Sequence, residues 1–212
     1  MKLVDLNLVE FSNMVNSDSP VPGGGSVAAY TSSLGAGLAR MLGFLTINKK
    51  KFAALETSIQ EEYKKSFDTL EDKVARLLEL VDEDTASYQL VMDAFKLPKE
   101  TEEEKEVRKT AIQEGTYKAM LVPFEAAQVS FDALKISEGL VEHGNTNAIS
   151  DLASGFYMLE AGMNCSILNV RINASSLDDK DKAKEYLDKC ITMQEEARSI
   201  VDKNIKIISQ VL

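Results

Sequence analysis

Histidine occurs once in this chain, at His143, and cysteine twice, at Cys165 and Cys190. A single imidazole excludes a multi-histidine metal site within one chain. It sits beside Gly144 at an expected helix end, a place that suits a structural ring better than a catalytic one. Two separated thiols, with no Cys-x-x-Cys pair, point away from a disulfide framework and toward a reducing compartment. Long apolar runs are missing too: none reaches the ~18 residues of a membrane span. The opening Met1-Lys-Leu-Val-Asp5 lacks the basic-then-apolar form of a secretion signal. A cytoplasmic protein without a membrane partner is the expectation. Basic charge is scarce, with 24 Lys and Arg against 34 Asp and Glu, a net charge of −10. Nucleic acid, which needs a basic footprint, is therefore not an expected partner. No Walker A loop, dinucleotide fingerprint or EF-hand loop occurs, and no metal is expected. No Pro/Ser-rich linker divides the 212 residues, so residues 1–212 read as one domain.

What the chain does have is helical periodicity nearly everywhere, with no convincing strand alternation. The pattern predicts helices over 6–15, 27–47 and 52–95. A further helix starts at a Thr101/Glu104 capping box and runs to about 142, kinked or restarted at Pro123. Two more cover 148–175 and the segment from Asp179 to about Gln210. The expected fold is all-α, an antiparallel bundle of long helices.

Pro20-Val-Pro-Gly-Gly-Gly-Ser-Val-Ala-Ala29 stands out. Two prolines stiffen the approach, and Gly23, Gly24 and Gly25 free the backbone. Ser26 is placed to cap a helix rich in Ala, Ser and Gly. A helix start of this kind offers unpaired N–H groups to an anion. The plainer reading is a tight turn before a closely packed helix, and the two readings are compatible. Lys49-Lys50-Lys51, after that helix, is either a solvated turn or a docking point for a carboxylate-rich ligand.

Two helices carry polar groups among apolar ones. Leu77, Val81, Asp84, Tyr88, Val91 and Phe95 share one face, which turns Asp84 toward the apolar side, while Asp82 and Glu83 lie further round. A carboxyl in such a setting titrates nearer neutrality and suits proton transfer; a solvated position at the stripe's edge is the alternative. Asp151, Gly155, Met158, Gly162, Ser166, Asn169 and Asn173 form a small, polar stripe. It reads as a close helix contact or as a groove wall whose amides face a heterocycle.

These motifs together resemble a family: the cyclodeaminase domain of formiminotransferase-cyclodeaminase and the related methenyltetrahydrofolate cyclohydrolases. The likeness is carried by residues 20–29, Leu80-Val-Asp-Glu-Asp84, Leu97-Pro-Lys99 with 101–105, Gly144-Asn145 with Ser150-Asp151, and Asn169-Val-Arg-Ile-Asn173. The resemblance implies an all-α homodimer or higher assembly and a tetrahydrofolate derivative as substrate. It implies no tightly bound cofactor, and chemistry at a one-carbon unit between N5 and N10. In its light Asp84 and Asp151 are the expected acid/base pair. Gly23, Gly24, Gly25, Ser26, Asp82, Tyr88, Lys99, Asn145, Asn169 and Asn173 are expected to bind substrate. Asn169 and Asn173 would orient the pterin, and the Gly23–Ser26 helix start, aided by Lys49–Lys51 or Lys99, would hold the glutamate tail. With no room for a transferase domain, a stand-alone version is expected. A non-catalytic folate-binding or scaffold protein is the alternative, and it would keep residues 23–26, 84 and 151 in separate, filled contacts.

Overall fold

The computed structural model describes residues 2–212. Among them run seven α-helices: α1 Leu8–Val15, α2 Gly24–Ile47, α3 Lys50–Ala53, α4 Thr57–Phe95, α5 Glu102–Glu138, α6 Ile149–Ser175 and α7 Lys180–Ile208. Single 3-10 turns occupy Leu3–Asp5 and Thr146–Ala148, and no strand occurs among the described residues. The all-α expectation holds. Asn7 with Glu10, and Thr101 with Glu104, form reciprocal capping boxes that set the starts of α1 and α5.

α2 is the central helix and packs against α4, α5 and α6. Small residues let it. A Cβ on Gly35 would stand 2.9 Å from the Gly155 carbonyl oxygen, and one on Gly155 would stand 2.8 Å from that of Gly35. The two backbones touch there, and Gly162 lies as tightly against Ala28. These contacts run α2 and α6 antiparallel, so the start of α2 lies beside the end of α6. On the α5 side Ser130 donates a 2.7 Å hydrogen bond to the Ser32 hydroxyl. Leu42, Leu70, Leu77, Met120, Leu134, Phe156, Leu159 and Met163 fill the core between the long helices.

Three boundaries differ from the sequence reading. α2 begins at Gly24, with Gly23 as its cap, so Ser26 lies inside the helix and is fully buried. The predicted 52–95 helix is broken, and α3 and α4 are separated by residues 54–56. α5 passes through Pro123 without restarting and ends at Glu138 rather than near residue 142. Pro123 has no N–H, so the carbonyl of Ala119, four residues back, lacks its helical donor. The Asn173 side-chain amide donates to that oxygen at 2.9 Å and takes the missing partner's place.

Candidate active site

The α4 stripe that fills the core at Leu70, Leu77 and Val81 brings Asp84 inward one turn later, half-buried. It arrives at the first turn of α2, whose N–H groups have no partner within the helix. Ser26 Oγ donates to Asp84 Oδ2 at 2.9 Å and lies 3.3 Å from Thr85 Oγ1. A Cβ on Gly25 would overlap the Asp84 carboxylate. No described glycine has positive φ. The glycines are therefore needed for close approach rather than for unusual dihedrals. The helix start does receive an anion, but that anion is the chain's own carboxylate. A substrate glutamate tail placed there would lie beside the Asp84 carboxyl.

Burial pushes the Asp84 carboxyl above its ordinary range, and hydrogen bonds from the Ser26 hydroxyl and backbone oppose this without cancelling it. Asp84 can thus hold a proton closer to neutrality than a solvated carboxyl does.

Asn169 and Asn173 close the other side. Asn169 Nδ2 donates to the Cys165 carbonyl at 2.9 Å, and Asn173 Nδ2 donates to the carbonyls of Ala119 and Asn169 at 2.9 and 3.0 Å. Turning either amide over would set oxygen against oxygen, so both orientations are fixed. The Oδ1 atoms are left to accept. A Cβ on Gly24 would come within 3.2 Å of Asn169 Nδ2, so this glycine also keeps space beside the amide. Together Gly23–Gly25, Asp84, Tyr88, Asn169 and Asn173 line a cavity of about 340 Å3, completed by Pro20, Val21, Ser87, Val91, Ala119 and Ile172. That volume is within the small-molecule range of ~300–1,000 Å3. The polar ends lining it are rich in acceptors, and Tyr88, 36% exposed, adds a ring.

Other expected site residues lie elsewhere. Asp82 accepts a hydrogen bond from the Leu3 N–H and anchors the N-terminal turn. Asp151, in the first turn of α6, sits roughly 27 Å along that helix from Asn169, at about 1.5 Å per residue. One chain therefore does not bring Asp84 and Asp151 together. Asn145 donates to the Leu45 and Thr46 oxygens at the far end of α2, and Lys49–Lys51 follow that same end, roughly 36 Å from Gly24. Lys99 is exposed on the turn between α4 and α5, outside the cavity. Val91 follows from the Asp84 face, whereas Ala119 and Ile172 carry no sequence signal for the site, since periodicity shows faces of one helix and not which helices become neighbours. Among the described residues no group of three or more His, Cys, Asp and Glu could hold a metal ion, and no helix is long and apolar enough to cross a membrane.

Comparison with known proteins agrees with this architecture. The chain is 36% identical over 177 residues to the methenyltetrahydrofolate cyclohydrolase of Methylorubrum extorquens, covering 84% of this chain and 83% of that one. It is 35% identical over 196 residues to the formimidoyltransferase-cyclodeaminase of Gallus gallus, covering 92% of this chain but only 36% of the larger protein. The crystal structure of formiminotetrahydrofolate cyclodeaminase from Thermotoga maritima superposes with a TM-score of 0.76 at 25% identity, over 98% of this chain and 96% of that one. The family model for formiminotransferase-cyclodeaminase matches residues 7–192. With that match spanning the site and the whole of α2, α4, α5 and α6, the chain belongs to the formiminotransferase-cyclodeaminase family.

Proposed function

We propose that this protein is an enzyme of folate one-carbon chemistry that moves protons at the carbon held between N5 and N10 of tetrahydrofolate, with Asp84 as its acid/base group. The observation that carries the reading is a single half-buried carboxyl, raised in pKa, at the wall of an acceptor-rich cavity. A reduced pterin presents several N–H donors, which suit the free Oδ1 atoms of Asn169 and Asn173. Tyr88 offers a face for ring stacking.

One carboxyl is enough for either reaction the relatives are named for. In cyclodeamination N10 attacks the carbon of the protonated formimino group, –CH=NH2+, Asp84 takes the N10 proton and hands it to the departing –NH2, and ammonia leaves as the methenyl cation forms. In hydrolysis Asp84 takes a proton from water as it attacks the methenyl carbon. It returns that proton to N5 as the C–N5 bond breaks, and the hydroxyl proton is released with the formyl product. Proton transfer by a positioned side chain typically contributes ~10²–10⁴-fold in rate. In this reading Asp151 takes no part within one chain.

A second copy is proposed as partner. The outer face of α2 and α6 is uncharged and apolar, with Leu34, Tyr157, Leu168 and Ile172 exposed by 44%, 52%, 60% and 66%. Ile172 also lines the cavity, so the site opens onto this face. An isologous homodimer through it buries the patch and walls the substrate.

Incubation with 5-formiminotetrahydrofolate and, separately, with 5,10-methenyltetrahydrofolate tests the proposal. Ammonia release with growth of methenyl absorbance identifies a cyclodeaminase, and loss of methenyl absorbance identifies a cyclohydrolase. Neither change above the uncatalysed rate refutes both.

A further inference from the structure

A second cavity, of about 320 Å3, lies at the opposite end of α2, and the chemistry proposed above makes no use of it. Its floor is Phe52 and Leu55, and Phe52 is buried edge-on against Tyr63 with ring centroids 5.1 Å apart. Its rim carries Lys49, Lys51 and His143. Neither lysine enters an ion pair among the described residues. The one acid on the lining, Glu142, is 86% exposed and reaches only His143, at 4.0 Å.

The cavity is held open by its own hydrogen bonds. The Asn145 N–H donates to Thr46 Oγ1 at 2.9 Å, its Nδ2 donates to the Leu45 carbonyl at 3.2 Å, and its Oδ1 accepts from the Asn147 N–H at 3.2 Å. The end of α2 is thereby tied to the turn that precedes α6. In a protein of net charge −10, two lysines of its only run of three line a cavity with an apolar floor.

We infer that this cavity is a binding site for a small organic dicarboxylate. The two ammonium groups and the imidazole face the carboxylates, and Phe52 and Leu55 take the hydrocarbon between them. The rim has no arginine, so it holds an anion by the point charges of its lysines rather than by the fork that carboxylate and phosphate both accept. The volume, about 320 Å3, has room for a ligand of a few carbons. The same chemistry is offered by a free dicarboxylate and by the glutamyl end of a larger molecule.

His143, the only histidine, gives an unambiguous probe. Its imidazole signals are followed by NMR in the full-length protein, without folate, at fixed pH and constant ionic strength. Glutarate and γ-glutamylglutamate are titrated in separate arms, with acetate as the single-carboxylate comparison. The expected result is a saturable shift with at least one of the two dicarboxylate probes and a weaker response to acetate. The tighter probe names the source. Lys49→Gln combined with Lys51→Gln is expected to weaken that binding at least ~10-fold while the helical circular dichroism is unchanged. Lys51→Gln alone gives a milder second variant if the pair fails to fold. The proposal is overturned if neither probe gives a saturable shift up to about 10 mM, or if the response survives loss of the lysines. Because no folate is present, this outcome is independent of the catalytic proposal.

Discussion

The Asn173 side chain completes the hydrogen bonding that Pro123 leaves undone, donating to the Ala119 carbonyl on the neighbouring helix. The same contact fixes the amide so that its oxygen, not its nitrogen, is free beside the cavity. Pro123→Ala restores a helical N–H for Ala119 and leaves the Asn173 amide held by the Asn169 carbonyl alone. The expected outcome is a folate KM raised several-fold with kcat changed less, measured by steady-state kinetics. A lowered kcat at unchanged KM contradicts this positioning role.

Gly24 and Gly25 predict two different failures. Gly25→Ala pushes a methyl group into the Asp84 carboxylate, so turnover falls while the protein still folds by circular dichroism. Gly24→Val crowds Asn169 instead and is expected to weaken folate binding. Equal affinities for the wild type and Gly24→Val in equilibrium dialysis remove Gly24 from the site.

Ser26 sets the protonation of Asp84 through a 2.9 Å hydrogen bond that favours the ionised form. Ser26→Ala removes that support, so the Asp84 limb of the pH–rate profile moves upward, whether Asp84 acts as acid or base. A limb that moves down, or stays in place, disagrees.

Stability carries the same sign. The folded pKa of Asp84 is raised, so its favourable contribution is present below the unfolded carboxyl value and is lost as pH rises through the folded one. Asp84→Asn has no charge to bury. Its stability relative to wild type is expected to increase with pH across that window, read from urea unfolding at several pH values. A stability of Asp84→Asn relative to wild type that falls as pH rises would falsify the assignment.

The apolar face of α2 and α6 predicts a dimer in solution. Leu168→Glu places a charge at its centre and is expected to yield a monomer by light scattering. Cys165 is an exposed thiol on the same helix, whereas Cys190 is buried and its pKa is pushed up to about 11 by that burial. Thiol labelling of Cys165 should be slow in the wild type and fast in Leu168→Glu, with Cys190 slow in both. A wild type that is monomeric at micromolar concentration rules the interface out.

Much of this architecture is legible in the sequence because helical periodicity is a local signal. Leu77, Val81 and Asp84 recur at helical steps, which offers an inward-facing Asp84 beside a solvated alternative that the sequence alone leaves open. The glycine corner marked the place where Asp84 arrives. What periodicity lacks is the pairing of helices. Asp151 and Asn169 share a polar stripe, yet the length of α6 separates them. Nor does the sequence show that the anion received by α2 is Asp84 itself, or that the carbonyl freed by Pro123 is met by Asn173, since both depend on packing between distant segments.

The central claim is that Asp84 carries the protons, and single-turnover kinetics of Asp84→Asn with saturating folate substrate test it most directly. The account predicts a folded protein that binds folate and turns over at least ~10²-fold more slowly than wild type. Near-normal turnover in a folded, saturated Asp84→Asn variant would contradict it.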